Sequence, residues 1–251
     1  MHLIDHPTGG YRFLTGIAPY SAAVGAAAGF AVVRRQLAQP LPLAAGFGAI
    51  ARHLDAAARP RAALCAMELR IPAPLSFDGF AALNRAYQAT LAEWGLLVDG
   101  RNPIARTNVA PVVAAPAEPS LYAFCYTQPV AGAPASFVVA GAGDLADQAD
   151  LRPEAIVRPG ETSKGALLAK AEVVMQVMTD RLVGLGAAWA QVTAVNVYTP
   201  HSLAPLVEGA ILPKLGGAAL HGVHWYYSRP PIAGLEFEMD LRRVWQDGLL
   251  A

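Results

Sequence analysis

Charge is scarce in this chain and cancels. Only 15% of its 251 residues are charged, and nineteen Lys and Arg balance nineteen Asp and Glu. A chain without net charge offers no electrostatic track for DNA, RNA or an anionic membrane surface. Two cysteines are too few for a disulfide framework or a thiolate zinc site, and they suit a reducing, cytoplasmic compartment. Phosphate-loop and nucleophile signatures are missing as well. GAGDL (141–145) lacks the third glycine of a dinucleotide fingerprint, GETSKG (160–165) lacks the Gly-Lys-Ser/Thr order, and no G-x-S-x-G occurs. The one long uncharged run, Phe13–Val33, is broken by Gly16, Pro19, Ser21, Gly25 and Gly29. It is expected to form two glycine-punctuated strands and not a bilayer span. Met1–Arg12 carries Asp5 and two histidines where a secretory leader would start basic.

What is abundant is apolar surface, at 54% of residues, enough for a sizeable core. Leu167, Ala171, Val174, Met178 and Leu182 recur at helical spacing, with Lys170, Gln176 and Asp180 among the polar residues between them. A strand at 191–199 follows, then a shorter helix capped by Ser202, a glycine-rich loop at Gly216–Gly217 and a final strand at 234–243. The first half repeats this order. It has a helix at 44–55, a strand at 62–70, a helix at 78–93 with Phe80, Leu83, Tyr87 and Leu91 on one face, and strands at 104–112 and 120–127. Matching positions, such as Arg106 and Arg229, are offset by 123 residues. The pattern predicts an internal duplication, with α+β domains at 1–128 and 136–251 joined by the uncharged linker 128–136.

The chemistry is expected near the last strand. In GLEFEMDLRR (234–243), Leu235, Phe237, Met239 and Leu241 alternate with Glu236, Glu238, Asp240 and Arg242. The acids therefore share a face, which is either a solvated outer surface or a pocket wall that raises their pKa values. In the first half, Tyr122, Phe124 and Tyr126 occupy the corresponding face, and aromatic rings there favour burial or ligand contact. Arg229 follows Trp225, Tyr226 and Tyr227, with Pro230 and Pro231 behind it. It is suited to bidentate capture of a carboxylate, or else to pairing with Glu236 or Glu238. His221 and His224 lack a nearby third metal ligand.

These elements, in units of this size, resemble the RidA/YjgF family, whose domains have a chorismate-mutase-like fold. Arg229 with PPIAGLEFEMDL (230–241) is similar to the family's arginine and its glutamate-bearing last strand. IPAPLSFDGFAALNRAYQATL (71–91) resembles the helix that carries its asparagine, here Asn84, and IARTNV (104–109) resembles its arginine strand, here Arg106. The resemblance implies two tandem RidA-like domains, each a mixed or antiparallel sheet with two helices on one face, the first catalytically degenerate because Tyr122 replaces the glutamate. It also implies hydrolytic deamination of an enamine or imine of a small carboxylic acid. Arg229 would hold the carboxylate and Glu236 would activate water. Arg106, Asn84, Trp225, Tyr227, His224 and Glu238 would contribute to substrate binding, in part at a composite site. No metal or organic cofactor is implied. Trimers of two-domain chains are expected, with no nucleic-acid or membrane partner. A chorismatase-type hydrolase acting on an enol-ether dicarboxylate, and a non-catalytic carboxylate-binding protein, are the competing readings.

Overall fold

The computed structural model describes residues 1–250. In chain order the strands are β1 (Leu3–Asp5), β2 (Tyr11–Leu14), β3 (Ala23–Ala26), β4 (Phe30–Pro42), β5 (Leu64–Arg70), β6 (Ala105–Pro111) and β7 (Ser120–Pro129). They continue with β8 (Phe137–Gly143), β9 (Ala194–Tyr198), β10 (His224–Tyr226), β11 (Ser228–Arg229), β12 (Glu238–Arg243) and β13 (Gln246–Leu250). Three long helices, α1 (Leu43–Ala56), α2 (Phe77–Glu93) and α3 (Lys164–Leu185), intervene. None of the described helices is long and apolar enough to cross a membrane.

The strands form two mixed sheets, ordered β1-β2-β3-β8-β12-β9-β10 and β11-β6-β5-β7-β4-β13. The four-strand cores β8-β12-β9-β10 and β4-β7-β5-β6 follow the same order. In each, two antiparallel pairings are followed by one parallel pairing. The ends of the chain are exchanged: β1 to β3 extend the sheet of the second half, and β13 joins β4 in the sheet of the first. Sheet boundaries therefore do not follow the cut expected between residues 128 and 136. Arg106 and Arg229 are also not topological equivalents. The counterpart of β6 is β10, whereas Arg229 lies on β11 and pairs with Ala110 of β6 itself.

Each sheet buries one side under helices. In the first half, Phe47, Ile50 and Leu54 of α1 and Tyr87 and Leu91 of α2 pack with Leu64, Met67 and Phe124. In the second, Val174, Met178 and Leu182 of α3 pack with Val195, Val197, Met239 and Leu241. Ser163 caps α3 through the amide of Ala166 at 3.3 Å, and Gly186, at φ 76°, ends it in the left-handed conformation that glycine tolerates. The shorter helix expected after Ser202 is a broken chain of turns over 204–221 that Ser202 does not cap.

The opposite sides of the sheets face one another. Their middle is closed by small apolar groups from both, including Val24, Val138, Ala140, Ala66, Ala105 and the free thiol-bearing Cys65 and Cys125. Both faces of β12 are consequently buried, and its acids line an interior instead of solvent. The aromatic side expected on β7 is broken by a bulge. Glu68 opposes Ala123 and Leu69 opposes Leu121, so Tyr122 is skipped. Leu121, Phe124 and Tyr126 turn together toward α1, where His53 packs edge-on against both rings. Only Tyr122 remains between the sheets, with the Arg70 guanidinium 3.9 Å from its ring centroid.

Candidate active site

Two of the predicted residues, Arg106 and Glu238, line one crevice between the sheets, and a third, Asn84, stands behind Arg106. Arg106 is on β6, Asn84 on α2 and Glu238 at the start of β12. Helix α2 buries Phe80, Asn84, Tyr87 and Leu91, an i, i+4, i+7 stripe with one amide in it. That amide has a use, because Arg106 Nη2 donates to Asn84 Oδ1 at 2.6 Å. The rest of the guanidinium is unusual. Nε and Nη1 of Arg106 are buried without a hydrogen-bond partner, as are both amide atoms of Asn108 two residues further along β6. Buried polar atoms left unpaired cost about 1–3 kcal/mol each, so a native site that keeps several together is suited to a ligand that completes them. The Arg106 guanidinium lies 4.7 Å from the ring centroid of Tyr87 and 5.1 Å from that of Tyr20.

Glu238 is 3% exposed and forms no salt bridge in the described structure. Burial, then the neighbouring Asp240 carboxylate, push its pKa well above the ordinary value, against the opposing charges of Arg181 and Arg106. Its carboxyl lies against the backbone of β8, where a Cβ on Gly141 would overlap it. The glycine is thus what admits the acid. The remaining walls include Tyr20, Phe80, Gln148, Pro231, Ile232 and Leu235. About 20 Å3 is open to the centre of a water molecule, room for one or two waters.

Helix α3 supplies two buried cations, Arg181 (4% exposed) and Lys170 (0%). Lys170 falls among the polar residues between the apolar positions of its helix, which ordinarily face solvent. It is instead inside, donating to Asp144 Oδ2 at 2.7 Å and to the Val157 carbonyl at 2.6 Å. Asp144 Oδ1 accepts the amides of Glu236 and Phe237 at 2.9 and 3.1 Å. This pair ties the wall segment 144–157 to the approach to β12. Gln148 Nε2 fixes the same segment by donating to the carbonyls of Gly143 and Leu145.

Arg229 and Glu236 also meet, but in a different place. Arg229 Nη1 is 3.5 Å from Glu236 Oε2, and His201 Nε2 is 2.7 Å from the same oxygen. The Arg229 side chain is 45% exposed and that of Glu236 15%. Exposed Trp225 and Tyr227 cross edge-to-face with centroids 6.3 Å apart. Trp225 Nε1 donates to the Thr199 carbonyl at 3.0 Å, and His224 Nδ1 lies 3.1 Å from Asn196 Oδ1. Neither ring nor His224 lines the crevice.

Sequence reasoning missed Tyr20, Asn108, Gly141 and Arg181. Asn108 was legible, since alternation puts it on the face of Arg106. Arg181 falls three residues after Met178 of the apolar stripe, a position that a charge pattern alone assigns to solvent. Tyr20 and Gly141 carried no such signal. A larger groove of about 530 Å3 holds Arg85, Gln88 and Arg101 but no carboxylate, so chemistry and not volume singles out the crevice.

The comparisons with known proteins agree with a catalytic role. A curated relative, the 2-amino-5-chloromuconate deaminase of Comamonas testosteroni, is 38% identical over 244 residues, 96% of each chain. Among solved structures, a chorismatase crystal structure superposes with a TM-score of 0.50 at 13% identity, covering 88% of this chain and 77% of that one. A cyanuric acid hydrolase gives a TM-score of 0.39 at 10% identity, covering 87% and 69%. The chorismatase likeness concerns the two-domain α+β fold alone. The family model described as 2-aminomuconate deaminase CnbZ matches residues 3–248. The chain belongs to this 2-aminomuconate deaminase family, and is an enzyme that removes an amino group by breaking a carbon–nitrogen bond.

Proposed function

We propose that the chain hydrolyses a 2-aminomuconate-type substrate, an enamine of an unsaturated dicarboxylic acid, in the crevice between its two sheets. The observation that carries this reading is Glu238: a buried carboxyl group, biased toward its protonated form, without an ion-pair partner, in a crevice with an arginine that has two unpaired nitrogens. Arg106 takes the carboxylate next to the amino-bearing carbon, with Asn84 fixing the orientation of the guanidinium. Asn108 supplies a donor and an acceptor to the same end of the substrate.

Protonated Glu238 delivers its proton to the enamine β-carbon, where the C=C electrons form the new C–H bond while the nitrogen lone pair closes the C=N bond of the protonated imine. The resulting carboxylate takes a proton from a water whose oxygen bonds to the imine carbon. Glu238 then returns that proton to nitrogen; as the C–N bond breaks, the hydroxyl oxygen forms the carbonyl of a 2-oxo acid and its proton passes back to Glu238, so that ammonia leaves and the acid is restored. One water is consumed and nothing is oxidised or reduced. The scheme uses no metal or organic cofactor.

The roles that the resemblance gave to Arg229 and Glu236 pass in this reading to Arg106 and Glu238, one from each half, which makes the site composite. Arg229 and Glu236, with His201 of the turn after β9 against them, form a polar rim beside Pro231, Ile232 and Leu235, which wall the crevice. Ammonia release from 2-aminomuconate is the test. Glu238→Gln is expected to slow it by about 10²–10⁴-fold, and Glu236→Gln by no more than about threefold, within ordinary surface effects. The reverse ranking returns the chemistry to Glu236. Pyruvate release from chorismate, with no ammonia from any enamine acid, overturns the deaminase reading.

A further inference from the structure

Arg106 and Arg181 are both buried, and neither has an acidic partner within salt-bridge distance in the described structure. Arg181 Nη1 donates only to the carbonyls of Ala140 and Gly141, at 2.8 and 3.1 Å. The strand segment thus held includes the glycine against which Glu238 rests. Two buried guanidinium charges therefore flank one carboxyl group. Buried charge is tolerated only where it is compensated, and the compensation lacking here is negative.

The inner crevice, with its 20 Å3, is far too small for a six-carbon diacid. On the other side of Tyr20 and Gln148, which border both spaces, lies an open groove of about 290 Å3 lined by Ile17 and Arg181. Asp147 and Asp180 also border this groove. Both are exposed and already accept hydrogen bonds, from the Ala149 amide and from Gln176 respectively, so solvent screens them.

Resting on the assignment of Arg106 and Glu238 above, we infer that Arg181 receives the distal carboxylate of the substrate, which extends past Tyr20 and Gln148 into the outer groove, making the enzyme selective for dianions. Arg181 is in this sense a specificity residue. It takes no part in the proton transfers.

The test is direct binding of unreactive ligands: muconate, its monomethyl ester, and sorbate, the same six-carbon diene with one carboxylate. The wild-type enzyme should bind muconate about 10–100-fold more tightly than the ester or sorbate, as expected for a charge-assisted contact. Arg181→Gln should weaken muconate by that factor and leave sorbate unchanged, and Arg181→Lys should restore part of the preference. Equal binding of muconate and its half-ester by the wild type overturns the inference, whether or not the variants fold. So does a loss in Arg181→Gln that is equal for muconate and sorbate. Failure of the reaction reading is separate: it shows as intact muconate preference without ammonia release.

Discussion

Two groups of buried charge lie between the same two sheets, and they are built on opposite plans. In one, Glu68 of β5 receives Arg34 through Nε at 2.6 Å and Nη2 at 3.0 Å, and Arg242 donates to the same carboxylate. Arg34 Nη1 reaches Asp247 of β13 at 2.8 Å, while Asp240 accepts from Asn196 at 2.6 Å and Tyr198 at 2.8 Å. In the other, Glu238 has no cation in contact, Arg106 keeps two idle nitrogens and Asn108 satisfies nothing. The titrations diverge accordingly. Burial alone would raise both carboxyl groups, but the charges of Arg242 and Arg34 outweigh it for Glu68 and hold it well below the usual range, whereas Glu238 stays well above. Glu238 and Arg242 lie on one face of a single strand, so burial depth does not separate them; completeness of pairing does. The paired group fastens β4, β5, β12 and β13 together, and the unpaired one is where the proposed substrate contacts lie.

That contrast can be broken from either side. The largest effect on stability is expected from Glu68→Gln, which strands two buried arginines at a cost of about 3–5 kcal/mol, measured by urea denaturation. The wild type should share the weakness in acid. A depressed carboxylate contributes stability above its unfolded pKa and loses it as pH falls through the folded value, so this contribution disappears on acidification below about pH 4. Next in size, Asn84→Ala frees Arg106 to reorient and should lower kcat/KM by about 10–100-fold, the worth of a hydrogen bond to a charged group, with a melting temperature lower by a few degrees because a further buried nitrogen of Arg106 loses its partner. The smallest effect has the opposite sign. Because the Glu238 pKa is raised on folding, its contribution is full below the unfolded pKa and is lost as pH rises toward the folded one. Glu238→Gln should therefore melt a few degrees above the wild type at pH 8, with the difference vanishing near about pH 4. A destabilised Glu238→Gln at pH 8 would mean that the acid is structural, like Glu68.

Much of the scaffold was readable in the residues. Apolar spacing located α1, α2 and α3 to within a few residues, because each presents a regular stripe to a sheet. Of the residues expected to contact substrate, Arg106 and Glu238 line one crevice and Asn84 bonds to Arg106 behind it, which locates the side chains and leaves their part in binding as the proposal above. What failed were the inferences that needed strand pairing. Alternation assumed an unbroken β7 and so gathered Tyr122, Phe124 and Tyr126, which the bulge divides. Equal spacing matched Arg229 to Arg106, although β11 pairs with β6 instead of copying it. Polarity gave no sign that Lys170 is inside, where Asp144 holds it. Each error concerns a partner distant in sequence, which local pattern does not encode.

The exchanged ends have a further consequence for how the molecule is made. Neither sheet is complete in a fragment severed at residues 130–136: the amino-terminal piece would keep three strands belonging to its absent sister, and the carboxy-terminal piece would leave the β8 rim open. Emerging from the ribosome, residues 3–26 must wait for more than a hundred residues before meeting β8, and β4 gains its parallel neighbour only when synthesis has passed residue 246. Such remote closures are slow, and the exposed edges invite pairing with other nascent chains. Once closed, the two halves are reciprocally latched, and the composite cleft between them is held shut by the backbone itself.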